Sequence, residues 1–240
     1  MTEIQQRYKR LLKELRKCEK LNNSKSYFLA QAVHDLRQPI QALILFTEVL
    51  KDTPLNEEQK NLAEKIHNST IEIKELLTNY LDLSKLNEGG VIYEPRHFKL
   101  KPLTDKLADN YTIICKDKNK HFNYQTCNAD IFSDPILVER ILQNLLSNAV
   151  KYGKDNISLR CENHNGKISF EIKDDGKGID AKDLPHIFDE YYQSRKDEHN
   201  RKHGAGLGLF ITQKIADKLG TKINVTTKKN KGTTFSFNLG

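Results

Sequence analysis

Residues 134–153 read DPILVERILQNLLSNAVKYG and predict one long amphipathic helix. Asp134 can cap this helix, and Pro135 suits its first position, where the missing N–H would be unpaired in any case. One face collects apolar side chains, namely Val138, Leu142, Leu145 and Ala149. Another face collects polar side chains, namely Arg140, Asn144, Asn148 and Lys151. The stretch therefore predicts a helix with one face in a core and another face of polar groups.

The polar face of this helix has two interpretations. The side-chain oxygens of Asn144 and Asn148 are neutral, hard ligands that suit a magnesium ion which keeps some waters and bridges triphosphate oxygens. Lys151, three residues further on, can offset the charge of a phosphate. The alternative is the solvated face of an ordinary amphipathic helix. This helix taken by itself leaves both interpretations open.

Helix and strand patterns alternate on both sides of this helix. Strands in adjacent pairs with helices between them predict an α+β sandwich, in which one mixed sheet lies under a helical layer. The polar and aperiodic segment 191–206 predicts a lid or a disordered loop. The helical signals cover about 101–118, 135–152 and 206–220, and the strand signals cover about 156–162, 167–173, 222–227 and 233–239.

A first glycine motif, DDGKGID at 174–180, follows a predicted strand. Gly176 and Gly178 would let the backbone approach a flat ligand. The Asp174 carboxylate can accept a hydrogen bond from an exocyclic amine such as that of adenine. A simple surface turn fits the same residues equally well.

A second glycine motif, GAGLGLFITQKIA at 204–216, puts Gly204, Gly206 and Gly208 at the start of a helix. Backbone amides at a helix start bind phosphate when no side chains are in the way. The spacing differs from the dinucleotide-binding pattern, and a polar segment precedes the motif in place of a strand. Alone this motif is a weak signal.

The first 90 residues carry a purely helical pattern. Residues 1–22 contain a short heptad seam typical of a parallel coiled coil. The same rhythm returns in two stretches separated by the turn-like DTPLN at 52–56, and NEGG at 87–90 ends it like a hinge. The seam of the first stretch consists of Leu29, Val33, Leu36, Ile40, Leu43, Thr47 and Leu50, and that of the second of Leu62, Ile66, Ser69, Ile73, Leu76, Tyr80 and Leu83.

Two long helices joined by a short loop predict a helical hairpin. One hairpin does not easily bury both its seam and the additional apolar residues Leu77 and Leu81. Two copies would complete a four-helix bundle, so the pattern predicts a homodimer.

The hairpin contains AVHDLRQPIQAL at 32–43, where His34 lies one position past the seam and is expected to face solvent. Asp35 can hold one ring nitrogen of the imidazole and accept a proton, which leaves the other nitrogen as a nucleophile. Pro39 removes the backbone donor to the Asp35 carbonyl and predicts a bend. An ordinary surface histidine beside a tolerated kink is the alternative from these residues alone.

Composition excludes several classes of protein. The 240 residues contain 39 Lys and Arg and 32 Asp and Glu, a net charge of +7, but the lysines are scattered without a nucleic-acid-binding motif. We therefore expect no nucleic-acid partner. A run of about 20 apolar residues is missing, as is a leader pattern, so we expect no membrane segment in this chain. The four separated cysteines favour reduced thiols and a cytoplasmic location.

Taken in order, these motifs resemble those of the sensor histidine kinases of two-component signalling, from about residue 20 to the end. HDLRQP at 34–39 resembles the H box, NLLSNAVKY at 144–152 the N box, and DDGKG at 174–178 the first glycine box. IFDEYYQ at 187–193 resembles the F box, and GAGLGL at 204–209 the second glycine box. The terminal KGTTFSFNL resembles the family's last strand pair. Because order and spacing match throughout, chance agreement is not a reasonable explanation.

The resemblance implies a fold and an activity. Residues 1–22 would be a coiled-coil-like signalling helix, 23–88 the dimerisation and histidine-phosphotransfer domain, and 89–240 the catalytic ATP-binding domain. ATP with Mg²⁺ would phosphorylate His34, and the phosphoryl group would pass to an aspartate of a response-regulator receiver domain. The chain would be cytoplasmic, by itself or as the cytoplasmic part of a longer sensor.

The resemblance also implies roles for individual residues. His34 and Asp35 would be catalytic, with Asp35 as the base, and Asn148 with Asn144 beside it would hold the metal. Lys151 would contact phosphate, and Tyr152 and Asp174 would contact adenine. The rest of the nucleotide-binding set would be Gly176, Gly178, Gly204, Gly206, Leu207, Gly208 and Thr233.

Three positions depart from the family's relatives. Related ATPases such as gyrase carry a water-activating glutamate where this chain has Asn144, so hydrolysis should be slow. Gln193 replaces an F-box arginine, for which Arg195, Lys196 or Arg201 would have to substitute. Gln38 replaces the shorter Thr or Asn that orients water for dephosphorylating a partner.

Two other functions compete with an autokinase. The first is a dimeric scaffold that binds nucleotide and partners without transferring phosphate, which Gln193 favours. The second is a serine kinase or ATP-driven clamp that uses the nucleotide domain alone, which the hairpin with His34 disfavours.

Overall fold

The computed structural model of the chain describes residues 31–33, 35–87, 93–194 and 206–240. The chain divides into two compact units, Met1–Ile92 and Tyr93–Gly240. Several predicted features lie outside the described residues. They are the helix at 1–22, His34, Gly204 and most of the predicted lid, including Arg195, Lys196 and Arg201.

The first unit is a helical hairpin, as predicted. Its helix α1 covers residues 31–33 and 35–51 of the described chain, and α2 runs over Glu57–Asn87. Asn56 begins α2 with a reciprocal cap, in which its Oδ1 accepts from the Gln59 N–H at 2.9 Å and its own N–H donates to Gln59 Oε1 at 3.0 Å. This cap satisfies two backbone donors that a helix start leaves unpaired.

The predicted seam of α1 divides into two rows. Val33, Ile40 and Thr47 are 5–6% exposed and lie in the hairpin interior. The alternate seam members are exposed by 41–47%, namely Leu36, Leu43 and Leu50. Of the seam positions that the structure describes on α1, the hairpin therefore buries half.

The predicted seam of α2 is exposed over most of its length. Leu62, Ile66, Ile73 and Tyr80 are at least 42% exposed, whereas Leu81 and Leu83 are buried. Leu81, an apolar residue outside the seam, is thus buried while several seam positions are not. The exposed apolar surface of the hairpin includes these seam positions and, on α1, Leu45, Phe46 and Val49, which lie outside the seam.

The second unit is an α+β sandwich, which confirms the predicted fold class. A five-stranded mixed sheet has the order β2-β4-β5-β7-β6, with β2 parallel to β4 and the other neighbours antiparallel. A second, two-stranded sheet pairs β1 with β3. The strands are β1 Arg96–Lys99, β2 His121–Gln125, β3 Asp130–Ser133, β4 Asn156–His164, β5 Lys167–Asp174, β6 Asn224–Lys228 and β7 Gly232–Leu239. The helices are α3 Leu100–Asp117, α4 Pro135–Tyr152 and α5 Gly208–Lys218, and a 3₁₀ turn lies at Leu184–His186.

The core lies between one face of the five-stranded sheet and the helices. Helix α4 contacts α3, α5 and the central strands β4 and β5, and buries eight of its residues. Phe170 of β5 and Phe237 of β7 stack in the sheet layer with ring centroids 4.6 Å apart. Alternate residues of these strands, such as Glu171 and Ser236, point to the opposite, polar face.

The sequence predicted α4 to within a residue at both ends, but it did not predict β1, β2 or β3. β1 and β3 have only four residues each, too few for a period of two to be recognised. Among the helices that the structure describes, none is long and apolar enough to cross a membrane.

Candidate active site

Helix α4 carries the polar row that the sequence singled out, and Asp134 fixes where the helix begins. The Asp134 side chain is buried and accepts hydrogen bonds from the N–H groups of Ile136 at 2.9 Å and Leu137 at 3.2 Å. Its other oxygen accepts from the Glu94 N–H at 3.0 Å. This confirms the predicted cap and ties α4 to the residues before β1.

Asn144 lies beside the first turn of α5. Its Nδ2 donates to the Gly208 carbonyl and approaches the Thr212 Oγ1, both at 3.3 Å. A β-carbon on Gly208 would meet nothing within 4 Å among the described residues, so these residues leave the space at this helix start open. Unpaired N–H groups at a helix start attract anions. The structure thus brings two predicted site residues, Asn144 and Gly208, together.

Asn148 lies one turn further along α4 and is half-buried. Its side chain has no hydrogen-bond partner within the described ranges, which leaves its amide oxygen available to a ligand. At the end of the helix, the ammonium groups of Lys151 and Lys177 lie 5.2 and 5.4 Å from the Tyr152 ring centroid. Two cations therefore border the Tyr152 ring.

Asp174 ends strand β5 as a buried carboxyl, 5% exposed. Its Oδ1 accepts from the Gly176 N–H at 2.8 Å, and the Thr233 N–H also donates to it. Burial raises the pKa of Asp174, and the negative charge of Asp175 adds to this, while the two hydrogen bonds and the positive charge of Lys120 oppose it. The result is a single buried acceptor group held by the backbone.

The glycines of the first motif allow close packing of backbone on backbone. A β-carbon on Gly176 would collide with the Tyr152 carbonyl oxygen. A β-carbon on Gly178, at φ +68°, would likewise collide with the Lys228 carbonyl oxygen. Both glycines are therefore required by the fold, and their contact with a flat ligand stays a prediction.

Thr233 joins this end of the site to strand β6. The Thr227 hydroxyl accepts from the Ile179 N–H at 2.9 Å and lies 3.1 Å from both the Gly232 carbonyl oxygen and the Thr233 Oγ1. Sequence reasoning missed Thr227, because a threonine in a strand carries no distinguishing signal.

The second glycine motif is partly described. Gly206 has φ +71°, and a β-carbon there would lie 2.7 Å from the Tyr192 carbonyl oxygen. The Leu207 side chain is fully buried, so a contact between Leu207 and a nucleotide would have to involve its backbone.

Helix α4 connects two chemically different ends of one site. Asn144 and the open start of α5 lie at one end, and Tyr152 beside Asp174 lies about 12 Å along the helix at the other. The first end offers amide and backbone groups to an anion, and the second offers a buried acceptor to an amine. This arrangement suits an elongated ligand with a base at one end and phosphates at the other.

Comparisons with known proteins identify the family. Residues 24–89 match the His Kinase A (phospho-acceptor) domain, and residues 133–240 match the histidine kinase-, DNA gyrase B-, and HSP90-like ATPase family. The autoinducer 2 sensor kinase/phosphatase LuxQ of Vibrio parahaemolyticus is 31% identical over 230 residues, 92% of this chain and 27% of that protein. The signal transduction histidine-protein kinase BarA of Escherichia coli (strain K12) is 31% identical over 224 residues, 90% of this chain and 24% of that protein.

Solved structures share the fold. Full-length ShkA, crystallised in complex with AMPPNP, has a TM-score of 0.66 at 22% identity and covers 88% of this chain, which in turn covers 45% of ShkA. The histidine kinase AdeS of Acinetobacter baumannii has a TM-score of 0.58 at 19% identity and covers 86% of this chain and 97% of its own.

The chain therefore belongs to the sensor histidine kinases: it joins a phospho-acceptor domain to an ATP-binding domain of the histidine kinase type. The chain spans about a quarter of the length of the curated relatives it matches, at 27% of LuxQ and 24% of BarA.

Asp175, next to the buried Asp174, holds the turn that follows α4. Its carboxylate accepts from the N–H groups of Lys154, Asp155 and Asn156 and from the Asn156 side chain at 2.7–3.0 Å. Desolvation works to raise the pKa of Asp175, but these hydrogen bonds outweigh it and lower the pKa to about 2. The ionised carboxylate therefore stabilises the folded domain.

We predict that Asp175→Asn lowers the free energy of unfolding at pH 7 by about 1–2 kcal/mol, less than the two-unit pKa shift alone implies because solvent screens the site. Since the folded pKa is depressed, the wild-type advantage is full above the ordinary aspartate pKa of about 3.9 and is lost as the pH falls through about 2. Denaturant unfolding of both proteins between pH 7 and pH 2 measures this difference. Asp155→Asn, at a side chain 56% exposed, is the control and should change stability by less than about 1 kcal/mol. Equal stabilities of wild type and Asp175→Asn at pH 7 would contradict the assignment.

Proposed function

We propose that this chain transfers the γ-phosphoryl group of ATP to His34 and then to an aspartate of a response-regulator receiver domain. The observation that carries the proposal is the two-ended site along α4, with the buried Asp174 carboxyl at one end and the open start of α5 beside Asn144 at the other. The match of residues 24–89 to a phospho-acceptor domain supports the histidine as the acceptor. The use of ATP fits a cytoplasmic location.

At the end of the site near Tyr152, the Asp174 carboxylate would accept a hydrogen bond from the exocyclic amine of adenine. The Tyr152 side chain would contact the adenine ring. The buried carboxylate favours adenine over guanine, because guanine presents a carbonyl oxygen where adenine has its amine. Gly176 and Thr233 already donate to this carboxyl and hold it in place.

At the phosphate end, the two asparagines fit a magnesium ion. The Asn144 amide nitrogen is engaged by the first turn of α5, which leaves its oxygen for a ligand, and the Asn148 side chain follows one turn later. Such neutral oxygens suit Mg²⁺ together with phosphate oxygens and water. When bound, Mg²⁺ offsets the negative charge of the phosphates. Lys151 and the amides of Gly206 and Gly208 would contact phosphate, together with Gly204.

Asn144 also explains why the phosphoryl group would be kept for His34. An amide does not accept a proton at neutral pH, so it does not activate water for attack on ATP. One imidazole nitrogen of His34 would instead attack the γ-phosphorus, the bond to the bridging oxygen would break, and ADP would leave.

Asp35 is the proposed base that accepts the imidazole proton. Its Oδ1 lies 3.3 Å from Gln31 Nε2, one turn earlier on α1, so an amide donor helps to orient the carboxylate. A carboxylate held in this way can also fix the tautomer of a neighbouring imidazole.

A second candidate function is a dimeric scaffold that binds ATP without transferring phosphate. Gln193, at the place of an F-box arginine, favours this candidate because a neutral amide does not offset γ-phosphate charge. Detection of phosphohistidine separates the two candidates.

The homodimer is supported by the apolar surface that one hairpin leaves uncovered. We predict that Leu43→Glu, at a side chain 47% exposed, converts a species of twice 27.7 kDa into one of 27.7 kDa in light scattering. A buried glutamate at a four-helix interface is strongly unfavourable, whereas the same change costs little in an exposed position. Ile113→Glu on α3, at 62% exposure, is the matched control and should remain a dimer. A monomeric wild type, or a dimeric Leu43→Glu, would remove the hairpin as the interface.

The acceptor is tested with radiolabelled ATP and magnesium. We predict that His34→Gln abolishes acid-labile labelling and leaves ATP binding nearly unchanged, because the nucleotide site lies within residues 144–233. His67→Gln removes another histidine of the hairpin and should keep the label. Labelled wild type is then mixed with a panel of receiver domains, to one of which the label should move. Persistent labelling of His34→Gln would refute His34 as the acceptor, and an unlabelled wild type that binds ATP would favour the scaffold.

The base is tested by single-turnover autophosphorylation at saturating ATP. We predict that Asp35→Asn slows this step about 10² to 10⁴-fold, because it keeps the size of the side chain but removes its basicity. Transfer to a receiver domain should suffer less, since the histidine is then the leaving group. Glu48→Gln, another carboxylate on α1, should change the rate by less than about threefold. A change that small in Asp35→Asn would reject it as the base.

A further inference from the structure

Lys120, the residue before β2, contacts the end of α4 although the two are 30 residues apart in the chain. Its ammonium group donates to the carbonyl oxygens of Val150 and Gly153, both at 2.6 Å. The side chain is half-buried. Val150 belongs to the last turn of α4, and Gly153 is the residue that caps it.

These two carbonyl groups need a partner from outside the helix. The last four carbonyl groups of an α-helix have no N–H from a following turn. At this end the Ala149 carbonyl is satisfied by the Gly153 N–H at 2.8 Å, whereas Val150 is satisfied by Lys120. A positive charge at a helix C-terminus also interacts favourably with the helix dipole. Lys120 therefore fixes where α4 ends.

The residues that Lys120 contacts border the end of the site where adenine is proposed to bind. A β-carbon on Gly153 would lie 3.2 Å from the Asp174 β-carbon, so the Gly153 backbone packs directly on Asp174. The Tyr152 carbonyl packs in the same way on Gly176, whose N–H donates to Asp174. A shift of the α4 end would therefore move the groups that surround the Asp174 carboxyl.

Lys120 is itself held firmly. Its N–H donates to the Cys115 carbonyl at 2.8 Å, at the end of α3, and the next N–H, of His121, donates to the Asp155 carbonyl at 2.7 Å. Asp175 binds the same turn through the N–H groups of residues 154–156. The end of α4 and the turn after it are thus bound both by an ammonium group and by a carboxylate.

We propose that Lys120 is a positioning residue for nucleotide binding, which holds the end of α4 against Asp174 so that the carboxylate and Tyr152 can receive adenine. The inference rests on the proposed function of the site. Lys120 does not touch the nucleotide and acts through Val150 and Gly153.

The charge of Lys120 gives the proposal a readout that a purely structural role lacks. The charged groups acting on Asp174 are Lys120, which lowers the pKa of Asp174, and Asp175 on the same strand end, which raises it; strand β7 offers the neutral Thr233 N–H. Adenine recognition needs the ionised Asp174 carboxylate. Recognition is therefore present above the pKa of Asp174 and is lost as the pH falls through that pKa. Removing Lys120 raises this pKa further, so the loss should begin at a higher pH.

The experiment measures binding of ATP with magnesium to the full chain by calorimetry between pH 5 and pH 8. We expect Lys120→Met, which removes both charge-assisted hydrogen bonds to the end of α4, to weaken binding about tenfold at pH 7 and by a larger factor at lower pH. Lys120→Arg should bind within about threefold of wild type, because a guanidinium keeps the charge and the donors. Lys118→Met, which removes the same charge two residues away, should match wild type.

The outcomes separate the inference from the proposed function. A wild type that does not bind ATP would overturn the proposed function. A wild type that binds, together with a Lys120→Met variant that binds equally well or is weakened by the same factor at every pH, would overturn the role of Lys120. Circular dichroism checks that each variant is folded. If Lys120→Met does not fold, the same pH series on Lys120→Gln, which keeps a donor without the charge, decides the question.

Discussion

The packing of α4 on the five-stranded sheet is the constraint on which the rest of the nucleotide domain depends. Eight residues of this helix are buried, so its rotation about its own axis is fixed to within a small angle. Once the apolar face is fixed, the polar row can occupy only one place. Asn144 then lies beside the start of α5, and Tyr152 lies beside the end of β5. The two ends of the site follow from one packing interface.

Two adjacent aspartates show how the backbone around a carboxyl decides its chemistry. Asp174 is buried with few donors, and its pKa is raised. Asp175 accepts hydrogen bonds from the turn at residues 154–156, and its pKa is lowered to about 2. The Asp174 carboxyl is suited to bind a ligand because it can accept a further hydrogen bond. The Asp175 carboxylate instead stabilises the fold. Strand alternation at the end of β5 sends the two side chains to different sides.

The hairpin illustrates a different kind of dependence. On α1, seam residues seven positions apart form two rows: one row, which includes Ile40, is buried, and the other, which includes Leu43, is exposed. A single hairpin has room for one row between its helices, because two helices make one line of contact. The second row has the composition of a core but is left exposed by the described residues, and the proposed homodimer would cover it.

The sequence by itself determined the α+β sandwich, the hairpin and the bounds of α4, because these depend on local periodicity and on caps such as Asp134. It also determined the order of the motifs, and so the family. Only the tertiary structure decided which alternate seam residues are exposed, that Leu81 is buried, and that Gly176 and Gly178 pack against backbone. The contact of Lys120 with α4 and that of Thr227 with residue 179 were equally invisible, since they join residues 30 and 48 positions apart. Hydrogen bonds over such separations leave no periodic trace in a sequence, because they depend on where the sheet and its helices bring the chain together.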